Sequence, residues 1–285
     1  MPEPRSPGPY RWLSAPRWYR WEGGFLLAAR AHGVVPSHAH HAIQIVVALD
    51  GRVALCGRDG EWLESGGAVV RSDAEHSFDC NGAHGVMLFV DPESSEGAWL
   101  SATLRRDIIP IAEARLAAIR EGLLPLVDRP EEVDDVAHLV RRAVHGLRPG
   151  AVPVRRLDPR VTKVLAAIRA SDDLRISLDQ AAGMAFLSPT RFAHLFKDQV
   201  GLPFSRYMLW RKLTRAMVAI ASARTIADAA HAADFADAAH LTRTFYQMVG
   251  MAPSVLMQGE FAEIAPPFDA PAAAPDGSRP PRPSI

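Results

Sequence analysis

The C-terminal half of the sequence contains one segment twice. Residues 177–201 read SLDQAAGMAFLSPTRFAHLFKDQVG, and residues 225–250 read TIADAAHAADFADAAHLTRTFYQMVG. Equivalent positions in the later part of each segment are 49 residues apart and pair Ser188 with Asp237, Phe192 with Leu241, Phe196 with Phe245, and Gly201 with Gly250. Two copies of one supersecondary unit produce this kind of similarity. The repeat therefore predicts two equivalent units, named here unit 1 (residues 177–201) and unit 2 (residues 225–250).

Each unit carries the end signals of two short helices separated by a turn. In unit 1, Ser177 is placed to cap the first helix, and Ser188, which a proline follows, is placed to cap the second. Asp237 has the equivalent capping position in unit 2. Gly201 and Gly250 follow the second helices, where a residue with left-handed backbone ends a helix. We expect a helix-turn-helix in each unit, and two in tandem favour a protein that reads duplex DNA.

The outward faces of the two later helices are the candidate base-reading surfaces. They contain Thr190, Ala193 and His194 in unit 1, and Ala239, Thr242 and Arg243 in unit 2. Arginine binds a guanine edge through two hydrogen bonds, so Arg243 is the best single candidate, whereas an alanine only contacts a thymine methyl group. The alternative is that both faces are simply solvated. The agreement between two units in register argues against that alternative.

A connecting helix and a set of basic residues complete the predicted reader. Residues 203–222 predict a helix about 27 Å long, which suits two reading helices about 34 Å apart on one face of the duplex. The candidate phosphate contacts are Arg191, Lys197, Arg206, Arg211, Lys212 and Arg215. The whole chain has zero net charge, and residues 158–258 contain only 12 basic against 8 acidic residues. Phosphate binding therefore has to come from the local placement of these cations.

A set of positions within residues 158–258 follows one known pattern. They are Ala182, Ser188, Phe196, Lys197, Gly201, Tyr207, Arg211, Ala216, Ile226, Ala230, Phe235, Asp237, Leu241, Arg243, Phe245, Gly250 and Pro253. Together they resemble the DNA-binding domain of the AraC/XylS family. The resemblance implies a bacterial transcription regulator whose recognition helices enter adjacent major grooves of promoter DNA, with RNA polymerase as a further partner.

The chain departs from this family pattern in unit 2. The turn of the helix-turn-helix usually contains a glycine, and this chain has Asp234 there. Aspartate tolerates a left-handed backbone better than most residues, so the turn is weakened without being lost. Ala238 and Ala239 at the start of the second reading helix also reduce the base discrimination expected of unit 2.

The N-terminal half has short apolar runs separated by turn residues. Runs such as HAIQIVVAL and GVMLFV lie between Asp50-Gly51, Gly66-Gly67 and similar pairs. This pattern is typical of an antiparallel barrel or jelly roll, and such a barrel can enclose a ligand cavity. We therefore expect a β-barrel at residues 15–100 that senses a small-molecule effector.

A histidine constellation lies within this half. Gly33, His38, His40, Gln44, Gly51, Gly67 and His76 resemble the two cupin motifs, with Gln44 in place of the usual glutamate. Residues 38, 40 and 44 share one face of a continuous strand, and His76 would come from a neighbouring strand. Three hypotheses follow: His38, His40 and His76 bind a divalent metal such as Zn, Fe, Mn or Ni; these histidines and Gln44 form a polar effector pocket; or they are structural.

The other face of the same strand complicates this prediction. Ile43, Ile45 and Val47 alternate with the polar positions and are typical of a core. If this apolar face points into the barrel, His38 and His40 lie outside it.

The remaining segments complete a multidomain architecture. We expect an N-terminal all-β, cupin-like jelly-roll barrel with flanking helices, and a C-terminal all-α domain at residues 160–258 with two helix-turn-helix units joined by a linker helix. Helices within residues 101–147 either cover the barrel or pair two subunits into a homodimer. Residues 148–159 are proline-rich and predict a linker, and residues 1–14 and 259–285 predict disorder.

Composition limits the cellular context. No apolar run reaches 18 residues, and the two cysteines, Cys56 and Cys80, are too few for a disulfide framework. We therefore expect a cytoplasmic protein with reduced thiols and no membrane partner.

The leading hypothesis is a ligand-responsive transcription factor without catalytic activity. An effector in the barrel would change the relative placement of sensor and reader, or of two subunits. The second hypothesis is a metal-dependent cupin enzyme, or a metal sensor, fused to a DNA-binding domain. A third is a constitutive DNA-binding protein with an adaptor barrel.

Overall fold

The computed structural model describes residues 10–21, 23–128, 136–147, 156–222, 225–258 and 260–263. An N-terminal β-sandwich with covering helices is followed by a helical C-terminal domain, as the sequence predicts. The strands are β1 (Arg11–Trp12), β2 (Arg17–Trp21), β3 (Gly24–His32), β4 (Val34–His38), β5 (Ile43–Ala48), β6 (Val53–Cys56), β7 (Trp62–Ser65), β8 (Gly67–Val70), β9 (His76–Asp79), β10 (His84–Val90), β11 (Ile108–Pro110) and β12 (Glu260–Glu263). The helices are α1 (Ser95–Thr103), α2 (Glu113–Leu123), α3 (Pro125–Asp128), α4 (Val136–Gly146), α5 (Pro159–Ala170), α6 (Leu178–Met184), α7 (Pro189–Val200), α8 (Phe204–Ser222), α9 (Ile226–Ala232) and α10 (Ala238–Val249), followed by a 3₁₀ helix at Pro253–Gln258.

The N-terminal strands form two separate sheets. The large sheet has the order β11-β8-β5-β10-β3-β2-β12, with β1 also paired to β3, and the small sheet has the order β4-β9-β6-β7. Among the described strands no hydrogen-bonded pair joins the two sheets, so this region is a two-sheet sandwich, the double-sheet form of the predicted jelly roll, and not a closed barrel. At Gly33, whose φ is +99°, the chain passes from β3 in the large sheet to β4 in the small sheet.

Strand β5 is buried on both of its faces. Gln44 and Val46 face the interior of the sandwich, whereas Ile43, Ile45 and Val47 belong to a second core with the covering helices. The apolar face therefore points away from the sandwich interior, and the polar positions point into it. A strand that is buried on both faces has apolar residues on both faces. The sequence therefore did not show which face of β5 points into the sandwich.

The covering helices pack on the outer face of the large sheet. Leu116 and Ile119 of α2 and Val140 of α4 lie in one buried cluster with the outer side chains of β5 and β10. The structure thus places the helical segment over the sandwich, and residues 129–135 of that segment lie outside the described residues. None of the described helices is long and apolar enough to span a bilayer.

The C-terminal helices begin and end at the signals found in the sequence. Ser177 and Gln180 form a reciprocal capping box at α6, and Ser188 and Asp237 cap α7 and α10 through their side chains. The first backbone N–H groups of a helix have no partner within the helix, and capping side chains supply one. Gly201 and Gly250 end α7 and α10 with φ of +93° and +75°. Both units therefore fold as helix-turn-helix.

The turns of both units contain a non-glycine residue with left-handed backbone. Asp234 has φ of +59° and Phe186, at the equivalent place in unit 1, has φ of +55°. The carboxylate of Asp234 accepts a hydrogen bond from the backbone N–H of Leu174 at 3.4 Å. It also lies 3.5 Å from Arg215. These contacts stabilise a backbone conformation that costs energy for a residue with a Cβ atom.

Two predicted boundaries differ from the structure. Residues 259–285 predict disorder, but Glu260–Glu263 forms β12, which pairs in parallel with β2 at the edge of the large sheet. Arg11–Trp12 forms β1 within a segment that also predicts disorder. A short polar segment gives little strand signal, and the free edge of an existing sheet supplies the missing hydrogen-bond partners. Residues 1–9, 148–155 and 264–285 lie outside the described residues.

The two domains share a hydrophobic core. Phe235, Leu241 and Phe245 of unit 2 belong to the same buried cluster as Leu27 and Phe78 of the sandwich interior. Helix α8 joins this cluster through Trp210, Leu213 and Met217. Unit 1 lies in a different cluster, with α5 and the first half of α8.

Candidate DNA-reading faces and a buried histidine cluster

The predicted base-reading residues lie on the outer faces of α7 and α10. Thr190, His194, Ala239 and Arg243 are exposed, and Ala193 and Thr242 are partly exposed beside them. The opposite faces are held in place by buried aromatic side chains, Phe192 and Phe196 in α7 and Phe245 in α10. Both reading faces are therefore accessible while the two domains are docked together.

A concave groove accompanies the reading face of unit 1. It has a volume of about 640 Å³ and lies between α7 and the first half of α8. Ala193, His194 and Lys197 line one wall, and Lys212 lines the other. The groove therefore places two cationic side chains next to the predicted reading surface.

The six candidate phosphate-binding cations fall into two groups. Arg191, Lys197 and Arg206 are exposed. The other three have partners inside the protein. Lys212 donates to the backbone carbonyl of Asp234 at 2.9 Å. Arg215 donates to the carbonyl of Ser171 at 3.1 Å.

Arg211 is the member of the second group that contacts the N-terminal domain. Its guanidinium lies 3.7 Å from the carboxylate of Asp91, and the two side chains are 14% and 11% exposed. Burial raises the pKa of Asp91, while the charge of Arg211 lowers it. The predicted phosphate contact of Arg211 thus has a competitor within the chain.

The four predicted pocket residues come together inside the sandwich. His38 ends β4, His40 lies in the loop before β5, Gln44 is on β5 and His76 begins β9, and all four are buried. One ring nitrogen from each of the three histidines lies within 4.8 Å of the others. The side-chain oxygen of Gln44, Oε1, is 3.0 Å from Nε2 of His40 and 3.0 Å from Nε2 of His76.

Each histidine of the cluster is oriented by the backbone. Nδ1 of His38 lies 2.8 Å from the carbonyl of Pro36, Nδ1 of His40 lies 2.9 Å from that of Ala42, and Nδ1 of His76 lies 2.9 Å from that of Ala74. Because a carbonyl only accepts hydrogen bonds, these contacts place the ring proton on Nδ1. The second nitrogen, Nε2, then carries a lone pair.

The environment keeps these rings uncharged. Burial, together with the neighbouring His40, lowers the pKa of His38 to about 3. Burial also lowers the pKa of His40 and of His76. A neutral imidazole with a fixed lone pair is the form that binds a metal or accepts a hydrogen bond.

The cavity at this cluster is small and belongs to both domains. Its volume is about 30 Å³, which is the space for one water molecule or one ion. Trp18, Phe25 and Phe89 line it from the sandwich, and Trp210 and Met251 line it from the C-terminal domain. Of the four predicted pocket residues, His38, His40 and Gln44 line this cavity, and the wall from the C-terminal domain was not predicted.

A second buried polar group next to the cluster was missed by the sequence analysis. His41 has Nε2 at 2.6 Å from a carboxylate oxygen of Glu93 and Nδ1 at 3.2 Å from one of Asp73. Burial alone would lower the pKa of His41, but Glu93 and Asp73 raise it to about 10. The partners are 32 and 52 residues away from His41, so no local sequence signal connects them.

Comparison with known sequences identifies the class of the C-terminal domain. Residues 181–259 match the family described as helix-turn-helix domain, of the AraC type. Domains of this class bind DNA in transcription regulators. Comparison with curated proteins finds no match.

Comparison with solved structures extends the similarity to both domains. Apo ToxT from Vibrio cholerae strain SCE256, a single-residue variant, aligns with a TM-score of 0.54 and 9% identity over 85% of this chain and 96% of that chain. ToxT from Vibrio cholerae O395 aligns with a TM-score of 0.53 and 10% identity over 87% and 97%. Wild-type ToxT with a bound unsaturated fatty acid aligns with a TM-score of 0.52 and 10% identity over 89% and 97%. Residues 181–259 are therefore a helix-turn-helix domain of the AraC type, and the chain shares the two-domain fold of ToxT.

Proposed function

We propose that this protein binds promoter DNA with both helix-turn-helix units and that a ligand at the junction of its two domains controls this binding. The observation that carries the proposal is the shared core. Unit 2 contributes Leu241 and Phe245 to the cluster that fills the sandwich, while its reading face stays exposed. A change inside the sandwich therefore reaches the position of α10 through direct contacts, without a separate relay.

The size of the cavity limits how an effector acts. A ToxT structure contains an unsaturated fatty acid, and a molecule of that size does not fit a volume of about 30 Å³. An organic effector at His38, His40, Gln44 and His76 would have to separate Trp210 and Met251 from the sandwich. Ligand binding would then require separation of the two domains. The ligand would contact the separated state and not the docked state, and allosteric control requires such a difference in contacts.

Several further features belong to this proposal. We infer that the protein acts in the cytoplasm, where a promoter is found, that it has no catalytic activity, and that it contacts RNA polymerase. Pairing of two subunits through the helical segment is also part of the proposal. The packing of α2 and α4 on the large sheet supports a covering role for these helices and is compatible with an exposed pairing surface on their outer side.

The test compares the equivalent residues of the two reading helices on duplexes selected by the wild-type protein. Arg243→Ala should weaken binding to the selected site by about 1–3 kcal/mol and relax the preference at one base pair, because a bidentate arginine–guanine contact is lost. His194→Ala, 49 residues earlier, should affect a base about one helical turn away, because it lies on the other reading helix. Binding is measured by fluorescence anisotropy on specific and random duplexes.

Two outcomes would contradict the proposal. An equal loss of affinity for specific and random duplexes in Arg243→Ala would show that this residue does not read a base. Footprinting that protects only one segment shorter than about ten base pairs would show that the two units do not bind adjacent grooves together.

A further inference from the structure

We propose that the groove beside the reading face of unit 1 binds an amphipathic organic anion, and that this anion competes with DNA. Such a ligand has an apolar body and one carboxylate or similar anionic group. The groove is separate from the cavity at the junction of the two domains, because no residue lines both. This site therefore lies outside the proposed function, and only its effect on DNA binding rests on that function.

The interior of the groove is apolar and large enough for a small organic molecule. Its volume of about 640 Å³ lies within the usual range of small-molecule sites. Three buried and three half-buried apolar side chains line it: Leu174, Phe204, Met208, Ile176, Leu178 and Leu209. The DNA backbone is contacted mainly through hydrogen bonds and charges, so these side chains offer it little. An apolar molecule that covers them gains free energy of binding.

The charged side chains of the groove all have the same sign. Lys197 and Arg175 are exposed at its edge, and Lys212 is half-buried on the wall formed by α8. Among the described residues that line the groove, none is acidic. The apolar interior therefore has a cationic rim, which is complementary to an anionic group and repels a cationic one.

The same wall of the groove connects the two helix-turn-helix units. Lys212 donates to the backbone carbonyl of Asp234, in the turn of unit 2, at 2.9 Å. The carboxylate of Asp234 accepts a hydrogen bond from the backbone N–H of Leu174 at 3.4 Å and lies 3.7 Å from Arg175. An anionic group bound beside Lys212 attracts both cations of this bridge. It therefore competes with Asp234 and weakens the contact that joins the groove to unit 2.

The opposite wall of the groove belongs to the predicted reading face. Ala193 and His194 are candidate base contacts, Lys197 is a candidate phosphate contact, and all three line the groove. A molecule bound in the groove covers these side chains, so the anion and the duplex exclude each other at unit 1. A ligand in the junction cavity acts instead on unit 2, which allows the two effects to be distinguished on DNA.

The first experiment measures binding to the full-length protein without DNA, by isothermal titration calorimetry. The probes are naphthoate and decanoate, each paired with its neutral amide. The wild type should bind at least one acid at one site per chain, and the matching amide about tenfold more weakly, because hydrogen bonds to a charged group are stronger. Lys212→Met should weaken binding of the acid about tenfold and leave binding of the amide unchanged.

Further variants separate the ligand site from effects on folding and from simple phosphate binding. Lys197→Met removes an exposed cation without touching the Asp234 contact and should also weaken binding of the acid. Lys163→Met is the matched control, because Lys163 is exposed and does not line the groove. Ile176→Ala should weaken binding of the acid about fivefold through lost apolar contact.

Three calorimetric outcomes would overturn the site. They are acids and amides that bind equally, inorganic phosphate that binds as tightly as either acid, and absence of saturable binding of both acids up to about 10 mM.

Footprinting on a duplex selected by the wild-type protein tests the competition with DNA. The acid that binds more tightly should remove protection of the half-site under unit 1 at a lower concentration than protection of the half-site under unit 2. Its amide at the same concentration should have no effect. Earlier loss of the unit 2 half-site, or unchanged protection at a saturating concentration of the acid, would overturn the competition. A protein that binds the acid but protects no duplex would contradict the proposed function and support the anion site alone.

Discussion

The two helix-turn-helix units are copies of one pattern, but the protein uses them in different surroundings. Unit 1 packs with α5 and the first half of α8 in a core of its own, which contains Phe192 and Phe196. Unit 2 packs with the second half of α8 in the core that also fills the β-sandwich. The comparison shows that the reading face of a unit and its attachment are separable. The repeated sequence specifies the reading face of each unit, whereas the neighbouring domain determines what the unit packs against.

This difference indicates which unit responds to a ligand. The cavity is lined by Trp210 and Met217 of α8 and by Val249 and Met251 at the end of α10. No residue of unit 1 lines it. A ligand in the cavity therefore acts first on unit 2 and on its spacing from unit 1. Two units that must occupy adjacent grooves together are sensitive to such a change in spacing.

The largest expected effect comes from removing equivalent core side chains. Phe196 and Phe245 are both fully buried, so each change to alanine should cost about 3–5 kcal/mol. Phe245→Ala should also speed hydrogen exchange in the sandwich strands β4 and β9, because its core is shared with them. Phe196→Ala should leave those strands unchanged. Equal effects of the two variants on β4 and β9 would contradict the division into two cores.

A smaller and more specific effect should come from the two glycines that end the reading helices. Both have left-handed backbone, so alanine should cost about 1 kcal/mol at either position. At Gly201 the added Cβ atom meets nothing within 4 Å, whereas at Gly250 it would come within 2.6 Å of Val35 and 2.9 Å of the Pro36 carbonyl. Gly250→Ala should therefore cost a further ~1–3 kcal/mol.

The glycine comparison tests docking because the added Cβ atom at Gly250 meets β4 of the sandwich, whereas the one at Gly201 meets nothing within 4 Å. Thermal unfolding measures the total cost of each variant. Limited proteolysis of the segment between the domains measures docking, and Gly250→Ala should be cleaved faster than Gly201→Ala. If the two variants unfold at the same temperature and are cleaved at the same rate, β4 does not hold unit 2 in solution.

The same comparison explains what the sequence made predictable. The helix ends depend on caps within a few residues, such as Ser188 at α7 and Asp237 at α10, so the local pattern predicted them correctly. His38, His40 and Gln44 line the cavity, but they come from β4, a loop and β5 rather than from the one continuous strand that was predicted, so their convergence depends on the packing of the two sheets. The jelly-roll class of the N-terminal half was also predicted, but the order of its strands was not, because pairing between distant strands has no local signal.

The features that escaped prediction all depend on long-range contacts. Trp210 is a core residue of α8 by its periodicity, and only the packed structure shows that it closes a cavity containing His40. The parallel pairing of β12 with β2 joins segments more than 200 residues apart. The phosphate assignments of Arg211, Lys212 and Arg215 stay predictions, because exposure on an isolated helix does not reveal partners in another segment.

The smallest expected effect concerns Arg211, which faces Asp91 in the docked protein and a phosphate in the sequence hypothesis. Asp91→Asn should release Arg211 for DNA, and one additional neutralised phosphate should steepen the salt dependence of binding by about 0.9 in log–log slope. Arg211→Ala alone should leave the slope unchanged, and the double variant Asp91→Asn/Arg211→Ala should return to the wild-type slope, which isolates the interaction between the two residues. The slopes are measured between 50 and 200 mM salt, where the expected change is about threefold in affinity. If Arg211→Ala alone lowers the slope by about one, Arg211 already contacts phosphate in the wild-type complex, and the Asp91 contact does not persist on DNA.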